Sequence, residues 1–89
     1  MPPAAPLRLR FYATAREAVG RPTATRDIAP AGMPVGEIVD ALAVEWPRLA
    51  PILRTARLVL NGEYLPPRDR TTRVRPGDEL AVHPPYSGG

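Results

Sequence analysis

The sequence predicts an α+β domain in which a mixed sheet wraps around one main helix. Three observations carry this expectation. Leu7-Arg8-Leu9-Arg10-Phe11-Tyr12 alternates with period two, so Leu7, Leu9 and Phe11 share one face and Arg8, Arg10 and Tyr12 the other. Val35, Ile38, Val39, Leu42 and Trp46 recur at helical spacing and form a single apolar stripe, which one apolar sheet face would cover. Glu79-Leu80-Ala81-Val82-His83 is a second clear strand, with Leu80 and Val82 facing one way. The helix and loops between the two strands leave room for them to pair in parallel at the middle of the sheet.

The remaining elements follow in order. Thr14 is expected to cap a short turn through Arg16-Glu17-Ala18-Val19 that Gly20 ends. Thr23 to Ile28, rich in threonine, reads as a strand pairing back on the first. Ala29 to Pro34 is loop by composition, and Pro34 suits the first helical position, where its missing N–H costs nothing. Glu37 lies near the positive end of the helix dipole, and Pro47 stops the helix. Leu49 to Leu53 adds a short turn that Pro51 keeps from extending. Arg57-Leu58-Val59-Leu60 is a strand closed by the turn pair Asn61-Gly62, from which Glu63-Tyr64-Leu65 returns as an edge strand. The stretch from Pro66 to Arg75 is polar and irregular, and Pro76-Gly77 fits the centre of a type II turn. No repeat or linker divides the chain. The expected organisation is a leader over 1–6, a domain over 7–83 and a tail over 84–89.

Composition narrows the function. With 89 residues, 44% hydrophobic and 24% charged, the chain reads as one small globular domain. It should bury about 60–70% of its unfolded surface, a core too thin to enclose a deep ligand pocket. An independent enzyme is therefore not expected. The absence of cysteine excludes disulfides, a thiolate nucleophile and thiolate metal sites, and a single histidine, His83, cannot form a histidine cluster. No bound metal or cofactor is expected. No apolar run approaches membrane-spanning length, and the leader lacks a signal peptide's regions, so the expectation is cytoplasmic, with no membrane partner. The net charge is +3, and all twelve basic residues are arginine, as a GC-rich genome would favour. No lysine amine is available for acylation. The arginines are scattered singly, without a basic run, so no nucleic acid is expected as a partner.

The end of the chain is its most informative stretch. Pro84-Pro85-Tyr86-Ser87-Gly88-Gly89 follows the apolar strand with no charged or low-complexity spacer. The prolines fix φ and project the chain as a stiff, extended arm. The glycines, without Cβ atoms, suit a narrow channel and let a partner's backbone and reagents approach the terminal carboxyl carbon. A terminal Gly-Gly alone also fits an ordinary frayed end.

Leu9-Arg10-Phe11-Tyr12-Ala13-Thr14-Ala15-Arg16-Glu17-Ala18-Val19-Gly20 resembles the opening of the MoaD-type small subunit of molybdopterin synthase. Val39-Asp40-Ala41-Leu42, Asn61-Gly62-Glu63, Gly77-Asp78-Glu79-Leu80-Ala81-Val82 and Pro84-Pro85-x-x-Gly88-Gly89 are similar to its later landmarks. The resemblance runs from about Leu7 to Gly89. Asn-Gly and Gly-Asp-Glu are unspecific; the Arg-Glu-x-x-Gly opening together with the proline–glycine tail is specific. The resemblance implies a ubiquitin-like β-grasp fold, a flexible Gly-Gly tail and a sulfur carrier that is not catalytic alone. It implies that a MoeB-type adenylating enzyme uses ATP and Mg to activate Gly89, with Gly88 before it. A sulfur donor then yields a thiocarboxylate, and a MoaE-type large subunit uses that sulfur for the dithiolene of molybdopterin. Tyr12, Val59, His83, Pro84, Pro85, Tyr86 and Ser87 are the expected partner contacts. His83 departs from the family's usual aromatic or apolar residue and also fits a half-exposed position on the solvent face. Tyr86 is bulkier than the usual tail residue. Alternatives are a related carrier for thiamin, tRNA thiolation or amino-acid sulfur supply, a ubiquitin-like protein modifier, or a plain interaction domain. Thiamin-type carriers look shorter and typically lack the paired prolines.

Overall fold

A computed structural model describes residues 5–85. The first strand, β1 (Leu7–Phe11), buries alternate residues as its period requires: Leu7, Leu9 and Phe11 are inside, Arg8 and Arg10 outside. A short helix, α1 (Ala13–Val19), follows at once. Tyr12 occupies its N-cap position, and its carbonyl accepts the N–H groups of Ala15 (2.9 Å) and Arg16 (3.3 Å). Thr14 thus lies within the helix and does not cap it: a backbone carbonyl at the end of β1 has already closed the first turn. Gly20 ends α1 in the left-handed conformation.

Strand β2 (Thr23–Arg26) pairs antiparallel with β1, as the threonine-rich stretch suggested. The segment before the main helix is more ordered than its composition implied. Met33–Pro34 forms β3, which pairs antiparallel with Arg73–Val74, β6, in a separate two-stranded sheet. Pro34 is extended (φ −61°, ψ 141°) because it belongs to this pairing, and the helix α2 (Val35–Glu45) starts one residue later than expected. No side chain caps α2. Instead Val35 N–H donates to the Thr72 carbonyl (2.8 Å) and Gly36 N–H to the Arg70 carbonyl (3.0 Å). The polar loop distant in sequence satisfies the first donors of the helix. Arg70 reinforces the joint, donating to Gly36 O (3.1 Å) and Asp40 Oδ2 (2.7 Å).

Val35, Ile38 and Leu42 of α2 are fully buried, with Val39 and Trp46 packed at the margin. Trp46 meets Phe11 edge-on, ring centres 5.5 Å apart. Pro47 does not simply stop the chain's coiling: Pro47–Leu49 makes one 3-10 turn that inserts Leu49 into the core, and Ala50–Leu53 forms α3. Proline lacks only the N–H that a new helical start leaves unused.

Strand β4 (Arg57–Leu60) turns through Asn61 and Gly62, both at positive φ, into β5 (Glu63–Tyr64). The Asp78 N–H closes the Pro76-Gly77 turn onto Arg75 O (3.1 Å) and leads into β7 (Glu79–His83). The main sheet has the order β2-β1-β7-β4-β5, with β1 and β7 parallel and the other pairs antiparallel. The two clearest strands of the sequence are thus adjacent and parallel, as expected. Helix α2 covers one face, where Leu7, Leu9, Phe11, Leu80 and Val82 meet Ile38 and Leu42. Among the described residues no polar side chain is buried, so chemistry-bearing groups lie at the surface.

Candidate functional site

The register decides what lies on the uncovered face. In β7, Leu80 and Val82 point to the core, so Glu79, Ala81 and His83 share the outer face with Arg8 and Arg10 of β1 and with Arg57 and Val59 of β4. The two-residue hairpin then sets Tyr64 opposite Val59. Ala81 is only 5% exposed despite its outward position, since it sits between the larger Arg10 and Val59.

These positions assemble one aromatic row across the sheet. The His83 ring stacks on Tyr12, with centroids 4.3 Å apart and planes 26° inclined. Tyr64 approaches His83 edge-on at 6.2 Å, and the Arg57 guanidinium lies 4.6 Å from the Tyr64 ring centre. At the other end Arg10 donates to the Tyr12 hydroxyl (3.2 Å) and pairs with Glu79 (3.5 Å). Tyr12 is 39% and Tyr64 61% exposed, so the row presents aromatic surface to solvent.

The structure brings Tyr12 and His83 into contact, sets Val59 on the same face beside Ala81 and Tyr64, and places Pro84 and Pro85 where β7 leaves the sheet, Pro84 half-buried and Pro85 exposed. Tyr86, Ser87, Gly88 and Gly89 lie outside the described residues. Tyr64 and Arg57 were not singled out from sequence. Their signal was present: a two-residue Asn61-Gly62 turn puts Tyr64 across from Val59 by counting alone.

On the helix side an open groove of about 510 Å³ runs between α2, α3 and the 65–70 loop, with Val39, Leu53 and Leu65 along its floor and Arg54 and Arg68 at its rim. Its size falls within the usual range for ligand sites, although the expectation was of a core too thin for a deep pocket. The space lies at the margin of the core, lined by α2, α3, β4 and the loop. Among the described residues no group of three or more His, Asp or Glu side chains is placed to hold a metal. Among the described residues no helix is long and apolar enough to cross a membrane.

A mixed sheet wrapped on one helix, with parallel central strands and a segment leaving the end of one of them, defines a ubiquitin-like β-grasp domain. The chain belongs to the ThiS family, whose model matches residues 9–89. It is 34% identical to the molybdopterin synthase sulfur carrier subunit of Arabidopsis thaliana, over 93% of this chain and 82% of that protein. The crystal structure of small archaeal modifier protein 1 from H. volcanii superposes with a TM-score of 0.70 at 26% identity, covering 91% of this chain and 98% of that one. Subunits 1 and 2 of molybdopterin-converting factor from Helicobacter pylori, solved as a complex, include a chain of the same fold. It has a TM-score of 0.64 and 20% identity, covering 94% of this chain and 99% of that one.

Proposed function

We propose that the chain is the sulfur-carrying small subunit of a molybdopterin synthase. The supporting observation is the position of β7. This strand is hydrogen-bonded on both sides, by β1 and β4, and its next residues are Pro84-Pro85 and the Gly88-Gly89 end. Pro84 and Pro85 therefore leave from the middle of the sheet, off a strand held by hydrogen bonds along both edges. The similarity to a sulfur carrier subunit supports the same reading, as does a two-subunit complex that includes one chain of this fold.

The chemistry follows from what a carboxylate lacks. An oxygen of the Gly89 carboxylate attacks the α-phosphorus of ATP on an adenylating enzyme, and pyrophosphate leaves. The acyl-adenylate now has a good leaving group; hydrosulfide released by a donor attacks the acyl carbon, the bond to AMP breaks, and loss of the S–H proton leaves a thiocarboxylate. ATP and Mg belong to the adenylating enzyme. The large synthase subunit supplies the catalytic groups that move the sulfur to the pterin precursor. The carrier contributes a soft nucleophile on a narrow lead and a sheet face for docking.

Incubation with the adenylating enzyme, ATP and a sulfur donor tests the reading. Mass spectrometry should show the gain of one oxygen-to-sulfur exchange on Gly89. The Gly89 deletion should melt like the parent, show no ATP–pyrophosphate exchange and gain no mass. Exchange at the parent rate in the deletion would refute terminal activation.

A second reading has a specific observation behind it, the likeness to a protein named as a modifier. The same activated glycine would then pass to an amine of another protein. Isopeptide-linked conjugates of the parent chain, absent with the Gly89 deletion, would favour it over sulfur transfer to a large subunit.

A further inference from the structure

The outer face of the sheet carries a charge pattern as well as an aromatic one. Arg8, Arg10 and Arg57 share it with one carboxylate, Glu79, which Arg10 engages. Among the described residues, neither Arg8 nor Arg57 has a carboxylate partner. The acidic side chains of the main helix lie on the opposite side, where Asp40 pairs with Arg70 and Glu45 with Arg26. The outer face therefore sets three arginines against one carboxylate; on the helix side Asp40 and Glu45 are paired, while Glu37, Arg48, Arg54 and Arg68 have no ion-pair partner among the described residues.

Two of its guanidinium groups are held in place. Arg57 lies over the Tyr64 ring, and stacking restrains a guanidinium while its in-plane N–H groups remain free to fork onto a carboxylate. Arg10 is fixed by the Tyr12 hydroxyl and Glu79. They stand at opposite ends of the Tyr12–His83–Tyr64 row.

We propose that this face docks an acidic protein surface, with partner carboxylates meeting Arg57 and Arg10 on either side of an apolar or aromatic contact over Tyr12 and His83. This rests on the carrier reading in one respect, that the sheet's outer face is the docking face. Charge selects the occupant. A second copy would bring arginines against arginines, which like-charge juxtaposition disfavours. A nucleic acid would need a basic track along its backbone, and this face offers three arginines on a flat sheet.

The test is titration calorimetry against the large synthase subunit of the same organism, at low and high salt. Arg57→Glu and Arg10→Glu should each weaken binding about tenfold or more and flatten its salt dependence. Arg48→Glu, an equal charge change on the helix side, should bind like the parent. Arg57→Lys, which keeps the charge but loses the planar fork, should fall between. Tyr12→Ala separates the two levels of the idea. If Tyr12→Ala weakens binding and the arginine reversals match Arg48→Glu, the acidic-partner proposal is wrong and the docking face stands. If none of the variants weakens binding, the docking face fails with it. Self-association of the parent through this face, or competition by an oligonucleotide for the large subunit, would also overturn the proposal.

Discussion

His83 lies flat against Tyr12, one residue beyond β1 and at the last position of β7, with ring centres 4.3 Å apart. The contact joins the ends of the two parallel central strands at the root of the tail. A stacked aromatic pair adds about 0.5–1.5 kcal/mol beyond its buried area. Tyr12→Asp should therefore lower stability by about 1 kcal/mol and leave the domain folded. The same change puts a carboxylate at the Tyr12 end of the row and should abolish measurable docking to the large subunit. Urea unfolding and calorimetry on one preparation check both halves; parent-like affinity would remove Tyr12 from the interface.

The paired prolines give a second prediction. Pro84 is half-buried and Pro85 exposed, and neither belongs to the apolar core. Replacing both with glycine should leave the melting temperature close to the parent's. Ordering a free residue costs about 1–2 kcal/mol of backbone entropy. Two residues restrained in advance then favour insertion of the tail by about 1 kcal/mol, near tenfold in affinity. The Pro84→Gly, Pro85→Gly variant should load sulfur normally and transfer it poorly at limiting large subunit. Single-turnover transfer that saturates at the parent's concentration would mean that the prolines only end the strand.

Gly32 should be intolerant of a side chain for two reasons that a control can separate. Its φ is +78°, and a Cβ there would stand 2.4 Å from the Val74 carbonyl oxygen, in the β3–β6 joint. Gly20 has a similar φ of +88° with nothing within 4 Å of such a Cβ. Gly20→Ala should cost about 1 kcal/mol, the left-handed penalty alone. Gly32→Ala should cost about 2 kcal/mol or more, because backbone atoms must also move. Equal losses by denaturant unfolding would show that the loop yields freely.

Asp69 sets a pH dependence for the loop that caps α2. Its carboxylate accepts hydrogen bonds from the Thr72 hydroxyl, the backbone N–H groups of Thr71 and Thr72, and the Thr71 hydroxyl. These bonds, the Thr72 hydroxyl's first among them, hold the carboxyl below its usual value of 3.8. A lowered folded value means stability that is present above pH 3.8 and lost as the pH falls through the folded value. Protection of the Thr71 and Thr72 amides, taken relative to the intrinsic exchange rate at each pH, should fall as the pH drops through the folded value in the parent. Asp69→Asn should show low protection at neutral pH and little change in protection on acidification. A pH-independent parent would show that the Asp69 bonds do not order the loop.

Much of this protein was determined by local pattern. Period two in Leu7–Phe11 and Glu79–His83, and helical spacing from Val35 to Trp46, specified the central strands, the main helix and the face each would bury. Those patterns are legible because one-sided burial repeats with the geometry of the backbone. The Pro-Pro and Gly-Gly steps of the tail were equally plain, since their backbone properties belong to the residues themselves. Tertiary structure decided the rest. Pro34 and Arg73 carry no local strand signal and pair because the chain returns there from a loop distant in sequence. The cap of α2 comes from the carbonyls of Arg70 and Thr72, which no local motif announces. The aromatic row depended on strand order: Tyr12, His83, Tyr64 and Arg57 come from three separate stretches and meet only because β7 lies between β1 and β4. Side-chain period tells which face a residue takes, and long-range pairing alone tells which residues become its neighbours.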